Sequence, residues 1–400
     1  MDKIETVTKL PIIAFDDTVW DDIWMNRQHI LSRLGKRGWP IIYSNGAHYV
    51  RAITLDKIRN KTVRQDNVTL IKCGAFWPRN YKSSLLDRLA INYHCGLLRR
   101  IMGIKANDEF IAFCFNPVFY PYVDALKSTY TMFHMYDIFS YAGEQAKYYT
   151  PFLEQKADLI TAATEIVWDE QVQDKSLTPN IIYNAVNFSW YEDIPEINSE
   201  IIRKIKCING PKIGYLGSIS LKLDFILLAT LAINNPEWQF ILVGKIQEHA
   251  MQDNTENWHA YHKFMSCDNV HCMGFVLREE TAAVISAMDV NISPYILDRR
   301  AWAFSAYPLK INEYLACGKP VVSTGLFLVN KYLKEQVAVC ESVEEWQKAI
   351  SNAIKGNGVG TTESRVQTAR DNDWSNRVDK LEKLMIEMIA KKKKIESLLS

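Results

Sequence analysis

A lysine and a glutamate stand three residues apart in the stretch AYPLKINEYLACGKPVVST, residues 306–324. Pro308 is typical of the first position of a helix, so Lys310 and Glu313 fall on one face of its first turns. A lysine near a helix N-terminus is unfavourable for the helix dipole unless an anion such as a diphosphate binds there too. Glu313 could accept hydrogen bonds from the vicinal hydroxyls of a ribose. The alternative is a solvated ion pair worth about 0.2–0.5 kcal/mol.

A second candidate for phosphate binding is the glycine turn in GYLGS, where Gly217 and Ser218 follow an apolar run. We predict that a strand gives way to a helix at this turn. A residue without a Cβ lets the backbone approach a phosphate closely, and a helix N-terminus supplies N–H donors. Neither GxGxxG nor GxxxxGK[ST] occurs, which disfavours a dehydrogenase or a P-loop NTPase.

Parallel strands must position these residues, and the chain alternates short apolar runs such as PIIAF and WQFILVGK with helical stretches. This alternation predicts βαβ units, in which ligands bind beyond the carboxyl ends of the strands. A polar stretch over 187–211 interrupts the pattern and is interpreted as a linker. We therefore predict an α/β protein with an N-terminal Rossmann-like domain (1–195), a second one (205–375) and a C-terminal helix (376–400).

Length, charge and cysteine usage narrow the class of protein. Four hundred residues exceed what one hydrophobic core usually fills, which favours two domains. A net charge of +1 argues against a nucleic-acid binder that works by bulk charge. The eight cysteines lack zinc-site spacing, so we expect no metal site, and we expect no cofactor either. A charged N-terminus and the lack of an 18-residue apolar run predict a cytoplasmic protein.

In order and spacing, PLKINEYLACGKPVVST, GYLGS, NPEWQFILVG and AMDVNISPY resemble the C-terminal half of bacterial two-Rossmann-domain (GT-B) glycosyltransferases. The resemblance is strongest to the family-four group used in capsule, O-antigen and teichuronic-acid synthesis. The first half is similar more loosely, through NRQHILSRLGKRG, MYDIFS, ADLITAAT and IIYNAVNFSWY. DWSNRVDKL resembles the closing helix that crosses back onto the first domain. The resemblance implies two domains facing across a cleft and a hexosyltransferase-like enzyme that needs no metal.

The resemblance also implies roles for individual residues. Glu313 would hold the nucleotide ribose, and Lys310 with the Gly217 turn would meet the diphosphate. The remaining members of the implied donor site are Ser218, Lys222, Gly244, Tyr307, Pro308, Leu309, Ser323 and Thr324. One departure concerns the family's Glu-x7-Glu motif, whose second glutamate matches Glu313 and whose first would fall at Ser305. Retention of anomeric configuration is therefore not implied.

The first half offers His134 and Asp137 in FHMYDIFS, beyond a predicted strand. Asp137 could be the general base for an acceptor hydroxyl in an inverting enzyme, and His134 could touch the donor sugar in a retaining one. The alternatives are a helix cap for Asp137 and a satisfied core histidine for His134. WMNRQH (24–29) begins a helix at the usual place for acceptor contacts, although Arg27 could simply face solvent.

We therefore predict that the protein transfers a sugar from a nucleotide-diphosphate sugar to a glycan or lipid-linked glycan in cell-surface polysaccharide synthesis, including capsule or lipopolysaccharide. Residues 92–105 could rest on the inner face of the cell membrane, or form a core-facing helix with a basic edge. The lysine run 391–394 is more typical of a solvated helix end than of a lipid contact. Two other functions stay open: a nucleotide-sugar epimerase on the same fold, and a non-catalytic sugar-nucleotide-binding partner in a synthesis complex.

Overall fold

The computed structural model describes residues 9–21, 24–48, 61–72, 78–79, 83–139, 143–194, 197, 199–247, 255–297, 307 and 309–399. The chain divides into two compact units. The first unit comprises Met1–Tyr183 and Ser375–Ser400, and the second comprises Asn184–Trp374. The chain therefore passes between the units twice, once in each direction.

In the described part of the first unit, seven strands form one sheet in the order β3-β4-β2-β1-β5-β6-β7. The strands are β1 (Ile12–Phe15), β2 (Ile41–Ser44), β3 (Lys61–Gln65), β4 (Val68–Lys72), β5 (Ile111–Cys114), β6 (Tyr130–Met135) and β7 (Leu159–Ala162). The helices that connect them are α1 (Asn26–Lys36), α2 (Ser84–Met102), α3 (Tyr120–Leu126), α4 (Glu144–Lys156) and α5 (Glu165–Gln171).

In the described part of the second unit, the first α-helix is α6 (Glu200–Cys207), and six parallel strands form one sheet in the order β10-β9-β8-β11-β12-β13. Its elements continue as β8 (Lys212–Leu216), α7 (Phe225–Asn234), β9 (Gln239–Val243), α8 (Thr255–Met265), β10 (Val270–Gly274), α9 (Thr281–Ser286), β11 (Val290–Ser293), α10 (Leu309–Ala316), β12 (Val321–Thr324), α11 (Phe327–Tyr332), β13 (Val337–Cys340), α12 (Val343–Ile354) and α13 (Thr362–Asp371). The last helix, α14 (Trp374–Leu399), returns to the first unit.

Strands at the centre of both sheets are buried on both faces. Every residue of β1, β5 and β11 is buried, and β9 is buried after its first residue. Parallel strands covered by helices on both faces need such continuous apolar runs, which is why these strands are evident in the sequence. The predicted α/β class with two Rossmann-like sheets is confirmed.

One strand pair departs from the predicted parallel arrangement. β3 pairs with β4 in antiparallel register, and Asp66 and Asn67 form the turn with φ of 50° and 63°. Asp and Asn tolerate this left-handed conformation better than other residues with a Cβ. β3 is mostly exposed and reads KTVRQ, so it has none of the apolar pattern that identifies the other strands.

The stretch predicted as a linker differs from that prediction. It contains α6, whose Ile202 and Ile205 are buried in a cluster with Ile241 and Val243 of the second sheet. Lysines and acidic residues occupy the outer face of this short helix, and they made the whole segment look like a linker. Residues from Asn184 onward therefore belong to the second unit.

Helix α14 is fastened to the first unit by ion pairs and hydrogen bonds. Lys392 Nζ lies 2.7 Å from Asp158 Oδ1, and Lys393 Nζ lies 2.8 Å from Glu109 Oε2. The lysine run therefore contacts protein in part, rather than ending free in solvent. None of the helices in the described ranges is long and apolar enough to span a membrane.

Glu382 is the polar centre of this attachment, and we expect Glu382→Ala to lower the free energy of unfolding by about 1–3 kcal/mol. Its carboxylate accepts hydrogen bonds from Arg37 Nη1 at 2.8 Å and Trp39 Nε1 at 2.7 Å. Burial works to raise the pKa of Glu382, but these hydrogen bonds and the Arg37 charge outweigh it, so the pKa is lowered. The stabilisation is therefore present at neutral pH and lost as the pH falls through the lowered pKa.

The matched control is Glu387→Ala on the same helix, where an exposed glutamate lies 3.9 Å from Lys383. Exposed pairs of this kind contribute less than about 1 kcal/mol. The free energy of unfolding of both variants is measured by denaturant unfolding at pH 7 and at pH 4. Equal losses for the two variants, or a loss for Glu382→Ala that does not shrink at pH 4, would contradict the assignment.

Candidate functional site

The order of strands in the second sheet reverses between β8 and β11, because the chain builds β9 and β10 on one side and β12 and β13 on the other. In open α/β sheets, ligands bind beyond the carboxyl ends of the strands at such a reversal point. Gly217 follows β8 at this edge, Tyr295 lies just after β11, and α10 begins with Leu309.

Two glycine turns lie against each other at this edge. Gly217 and Gly244 have φ of +143° and +148°, which side chains with a Cβ rarely allow. A Cβ on Gly244 would lie 2.0 Å from the carbonyl oxygen of Gly217, and a Cβ on Gly217 would lie 2.5 Å from Lys310 Nζ. The missing Cβ at Gly244 therefore leaves room for the backbone of the Gly217 turn. The missing Cβ at Gly217 leaves room for the Lys310 ammonium.

Lys310 is held by two tyrosines that the sequence did not single out. Its Nζ donates to the Tyr215 hydroxyl at 2.8 Å and lies 4.2 Å and 5.2 Å from the ring centres of Tyr215 and Tyr295. Burial, reinforced by the charge of Lys222, lowers the pKa of Lys310 to about 7, although Glu313 acts in the opposite direction. Two lysines thus lie near one turn, an arrangement that an anion would stabilise.

Glu313 lies one turn further along α10 and is half-buried. Burial raises the pKa of its carboxyl, whereas a hydrogen bond with the Tyr191 hydroxyl and the charge of Lys310 act to lower it. Tyr191 is itself buried and comes from the segment before α6. No spacing in the sequence pointed to Tyr191, because only the fold brings that segment to α10.

The side-chain hydroxyls of other predicted donor-site residues differ in whether they already have hydrogen-bond partners within the protein. The buried hydroxyl of Ser218 has no hydrogen-bond partner in the described structure, and the same holds for Ser293 Oγ of β11. The hydroxyls of Ser323 and Thr324 are instead used inside the protein. Ser323 Oγ donates to the Thr324 carbonyl at 2.9 Å, and Thr324 Oγ1 donates to the Ser293 carbonyl at 3.3 Å.

The helix predicted to follow the Gly217 turn is present, but it does not begin at the turn itself. Helix α7 begins at Phe225, and Asp224 caps it by accepting from the Leu227 N–H at 2.8 Å. The intervening segment contains Lys222, whose pKa burial lowers. The loop between the Gly217 turn and α7 therefore supplies the second lysine near Lys310.

The predicted residues around the start of α10 are only partly described. Tyr307 is buried and Leu309 is half-buried as the first residue of the helix. Pro308 and Ser305 lie outside the described residues, so the predictions made on them stay predictions.

The first sheet has its own reversal point, between β1 and β5, and a buried ion pair lies beside it. Asp16 follows β1, and its Oδ2 lies 2.7 Å from Arg27 Nε of α1. The Arg27 guanidinium also contacts the Thr18 hydroxyl and lies 5.0 Å from the Tyr136 ring centre. Burial raises the pKa of Asp16 to about 6 in spite of the Arg27 charge. Arg27 therefore does not face solvent, and the sequence missed Asp16.

His134 and Asp137 lie on the same edge of the first sheet but in different environments. His134 is fully buried, and its Nδ1 lies 2.9 Å from Thr161 Oγ1. Burial and the Arg27 charge lower its pKa to about 3, so its imidazole is neutral. Asp137 is half-buried, and its Oδ1 accepts from the Ile138 N–H at 2.8 Å. Burial raises the pKa of Asp137, an effect that this hydrogen bond opposes.

Residues 210–355 match the family described as Glycosyl transferases group 1. The chain is also 28% identical over 232 residues to a Bacillus subtilis (strain 168) protein named putative teichuronic acid biosynthesis glycosyltransferase TuaH. That alignment covers 55% of this chain and 55% of TuaH, so the chain spans about half the length of this curated relative. The matched residues lie within the second unit, and the match confirms the resemblance carried by its motifs.

Solved structures extend the likeness to the whole fold. Anabaena HepE in complex with UDP and glucose has a TM-score of 0.68 at 14% identity, over 94% of this chain and 99% of HepE. Sucrose-phosphate synthase from Thermosynechococcus elongatus has a TM-score of 0.67 at 13% identity, over 95% of this chain and 99% of that one. Identities this low establish the fold alone, and they confirm the predicted GT-B fold.

Proposed function

We propose that this protein is a glycosyltransferase that moves a sugar from a nucleotide-diphosphate sugar to a glycan or lipid-linked glycan acceptor in cell-surface polysaccharide synthesis. The observation that carries the proposal is the pair of lysines, Lys222 and Lys310, at the Gly217 turn, with Glu313 one helical turn further on. Lysine ammonium groups bind phosphate oxygens, and a carboxylate accepts hydrogen bonds from the hydroxyls of a ribose.

The proposed chemistry follows from the charges at this edge. An acceptor hydroxyl attacks the anomeric carbon, the bond from that carbon to the diphosphate oxygen breaks, and the nucleoside diphosphate leaves. Negative charge develops on the diphosphate, and Lys310 and Lys222 would stabilise it without a metal ion. The hydroxyl proton passes to a base, for which Asp137 of the first unit is the proposed residue.

The relatives support the substrate classes in this proposal. The HepE structures were solved with UDP, with UDP and glucose, and with UDP-glucose. The name of the Bacillus relative refers to teichuronic acid biosynthesis. For this protein, a nucleotide-sugar donor and a cell-surface glycan acceptor are inferred from these likenesses and from the residues above.

A donor panel tests the proposal. The protein is incubated with UDP-, GDP-, ADP- and dTDP-sugars, with and without a membrane extract as the acceptor source, and nucleoside diphosphate release is followed. Acceptor-dependent release with at least one donor is expected. Interconversion of the sugar without a transferred product would favour the epimerase. Tight nucleotide binding with neither reaction would favour the non-catalytic partner.

Glu313→Ala is expected to weaken nucleotide binding by about 1.5–3 kcal/mol, because a charge-assisted pair of hydrogen bonds to the ribose is lost. Calorimetry on the folded variant measures the change. Tyr191→Phe is the matched control, since it removes a hydroxyl that contacts Glu313 but leaves the carboxylate in place. Unchanged affinity in Glu313→Ala would refute the ribose contact, and an equal loss in both variants would assign the effect to packing.

A further inference from the structure

Four aromatic side chains of the first unit form a partly exposed cluster between the start of α3 and the middle of α4. The Tyr120 ring centre lies 5.7 Å from that of Tyr149 and 5.6 Å from that of Phe152. The Tyr148 ring centre lies 5.0 Å from that of Tyr149 and 5.3 Å from that of Phe152. We name these four residues the aromatic platform. Tyr148 is 62% exposed and Phe152 is 40% exposed. Each ring contacts two of the others, so the side chains hold one another in place.

The aromatic platform belongs to two connections at the carboxyl edge of the first sheet. Tyr120 is the first residue of α3, which follows β5 after a short turn at 117–119, and α4 is the helix that follows β6. In open α/β sheets, ligands bind beyond these strand ends. The connection from β6 to α4 also contains Asp137, the proposed base. The platform therefore lies at the edge of the first sheet that the proposed chemistry uses.

The charges around the aromatic platform are of both signs. Glu144 and Lys147 of α4 are exposed. Burial raises the pKa of Tyr149 and the charge of Arg79 opposes this rise, so Arg79 lies near the platform. Its guanidinium donates two hydrogen bonds to Asp87, at 2.9 Å and 2.6 Å. Mixed charges of this kind select neither a polyanion nor a polycation. The surroundings fit an uncharged ligand that has both apolar surface and hydroxyl groups.

We propose that the aromatic platform binds a pyranose ring of the acceptor glycan, one that does not itself react. A pyranose of glucose configuration carries its hydroxyls around the rim and C–H groups on both faces. These C–H groups are weakly positive and suit the negative face of an aromatic ring. The tyrosine hydroxyls can exchange hydrogen bonds with the hydroxyls of the sugar rim. Because the rings already order one another, binding costs little additional side-chain freedom. The acceptor would therefore contain more than one sugar.

A sugar ring fits the aromatic platform better than a second copy of this chain does. The two exposed rings offer at most about 500 Å² of contact surface, at about 150–250 Å² for each aromatic side chain. A stable interface between proteins buries about 800 Å² on each partner. Sugar binding by the platform does not depend on the proposed function, but the assignment of that sugar to the acceptor rests on it.

Saturation-transfer NMR with the full chain and no nucleotide tests the aromatic platform without any activity measurement. The probe is cellotetraose, and sorbitol is the control ligand, because it has the hydroxyls of glucose without the ring. Saturation of protein aromatic protons should reach the ring C–H protons of cellotetraose and not sorbitol. Tyr148→Ala/Phe152→Ala should weaken cellotetraose binding about tenfold, whereas Tyr148→Phe keeps the ring and should stay within about twofold of wild type. The matched control is Trp258→Ala on α8, a 37% exposed aromatic residue in the second unit.

Thermal unfolding shows whether each variant is folded, and Tyr148→Ala alone serves if the double variant is not. Failure of wild type to bind cellotetraose, or equal losses in the platform variant and Trp258→Ala, would overturn the proposal. A loss in Tyr148→Phe as large as in Tyr148→Ala/Phe152→Ala would also overturn it, because the hydroxyl and not the ring would then carry binding. Sedimentation that shows a dimer in wild type and a monomer in the platform variant would overturn it in favour of a second copy. Platform-dependent cellotetraose binding by a protein that fails the donor panel would support the sugar site and contradict the proposed function.

Discussion

Replacing Lys310 with methionine is expected to lower the affinity for a nucleotide sugar by about ten- to a hundredfold at pH 6.5, because a charge-assisted contact with the diphosphate is worth about 1.5–3 kcal/mol. Methionine keeps the length and apolar stem of lysine, so its packing against Tyr215 and Tyr295 should persist. The matched control is Lys319→Met, just after the end of α10, where burial also lowers a lysine pKa. The affinities of wild type, Lys310→Met and Lys319→Met are measured by calorimetry. The ligand is the nucleotide sugar that the donor panel selects.

The wild-type affinity should also fall as the pH rises above 7, by up to about tenfold per pH unit. Burial lowers the pKa of Lys310 to about 7, so the free protein loses this ammonium above that pH, whereas a bound diphosphate would retain it. The observed affinity scales with the fraction of protein that is competent to bind. Lys222, Glu313, Tyr215 and Tyr295 face Lys310 and are unchanged in Lys310→Met, which should therefore lose most of this pH dependence.

A nucleotide sugar is the right ligand for this titration. Its two phosphates are both esterified, so they lack the second ionisation that a terminal phosphate has near about pH 6. A flat pH profile in wild type would contradict titration of Lys310 in the free protein. Equal affinity of wild type and Lys310→Met at pH 6.5 would remove Lys310 from the diphosphate site, whatever the pH profile.

Asp137→Asn is expected to reduce turnover by about a hundredfold or more while nucleotide binding stays intact, if the enzyme inverts and Asp137 takes the acceptor proton. Asparagine is the informative substitution, because its side-chain oxygen can still accept from the Ile138 N–H but its amide cannot act as a base. Burial raises the pKa of Asp137, which brings this carboxyl closer to the range useful in proton transfer.

The control is Asp124→Asn in the same unit, where an exposed carboxylate lies 3.0 Å from Lys156 Nζ. Its turnover should equal that of wild type. Single-turnover kinetics with saturating donor separates the chemical step from binding. Near-normal turnover in Asp137→Asn would remove the base hypothesis. The proton acceptor would then be the donor's own phosphate or His134, although burial currently keeps His134 from solvent.

Local spacing was enough to bring Gly217, Lys310 and Glu313 into one predicted site, and the structure brings these residues together in the second unit. Lys310 and Glu313 share a helix face by their three-residue separation, and Gly217 follows an apolar run that could only be a buried strand. The central strands, such as IIAF and QFILV, can also be recognised in the sequence. Helices cover both faces of a parallel sheet, so these strands are continuous apolar runs. These features depend on neighbours along the chain, so the sequence alone determined them.

Other features depend on residues that are far apart in sequence, and only the tertiary structure decided them. Tyr191 reaches Glu313 because the segment before α6 packs in the second unit, and Arg27 is buried because Asp16 after β1 lies beside it. The exposed strand β3 and the helix α6 were missed because their polar faces dominate their composition. Burial itself is a tertiary property, and it separates fully buried His134 from half-buried Asp137 although both come from one short motif.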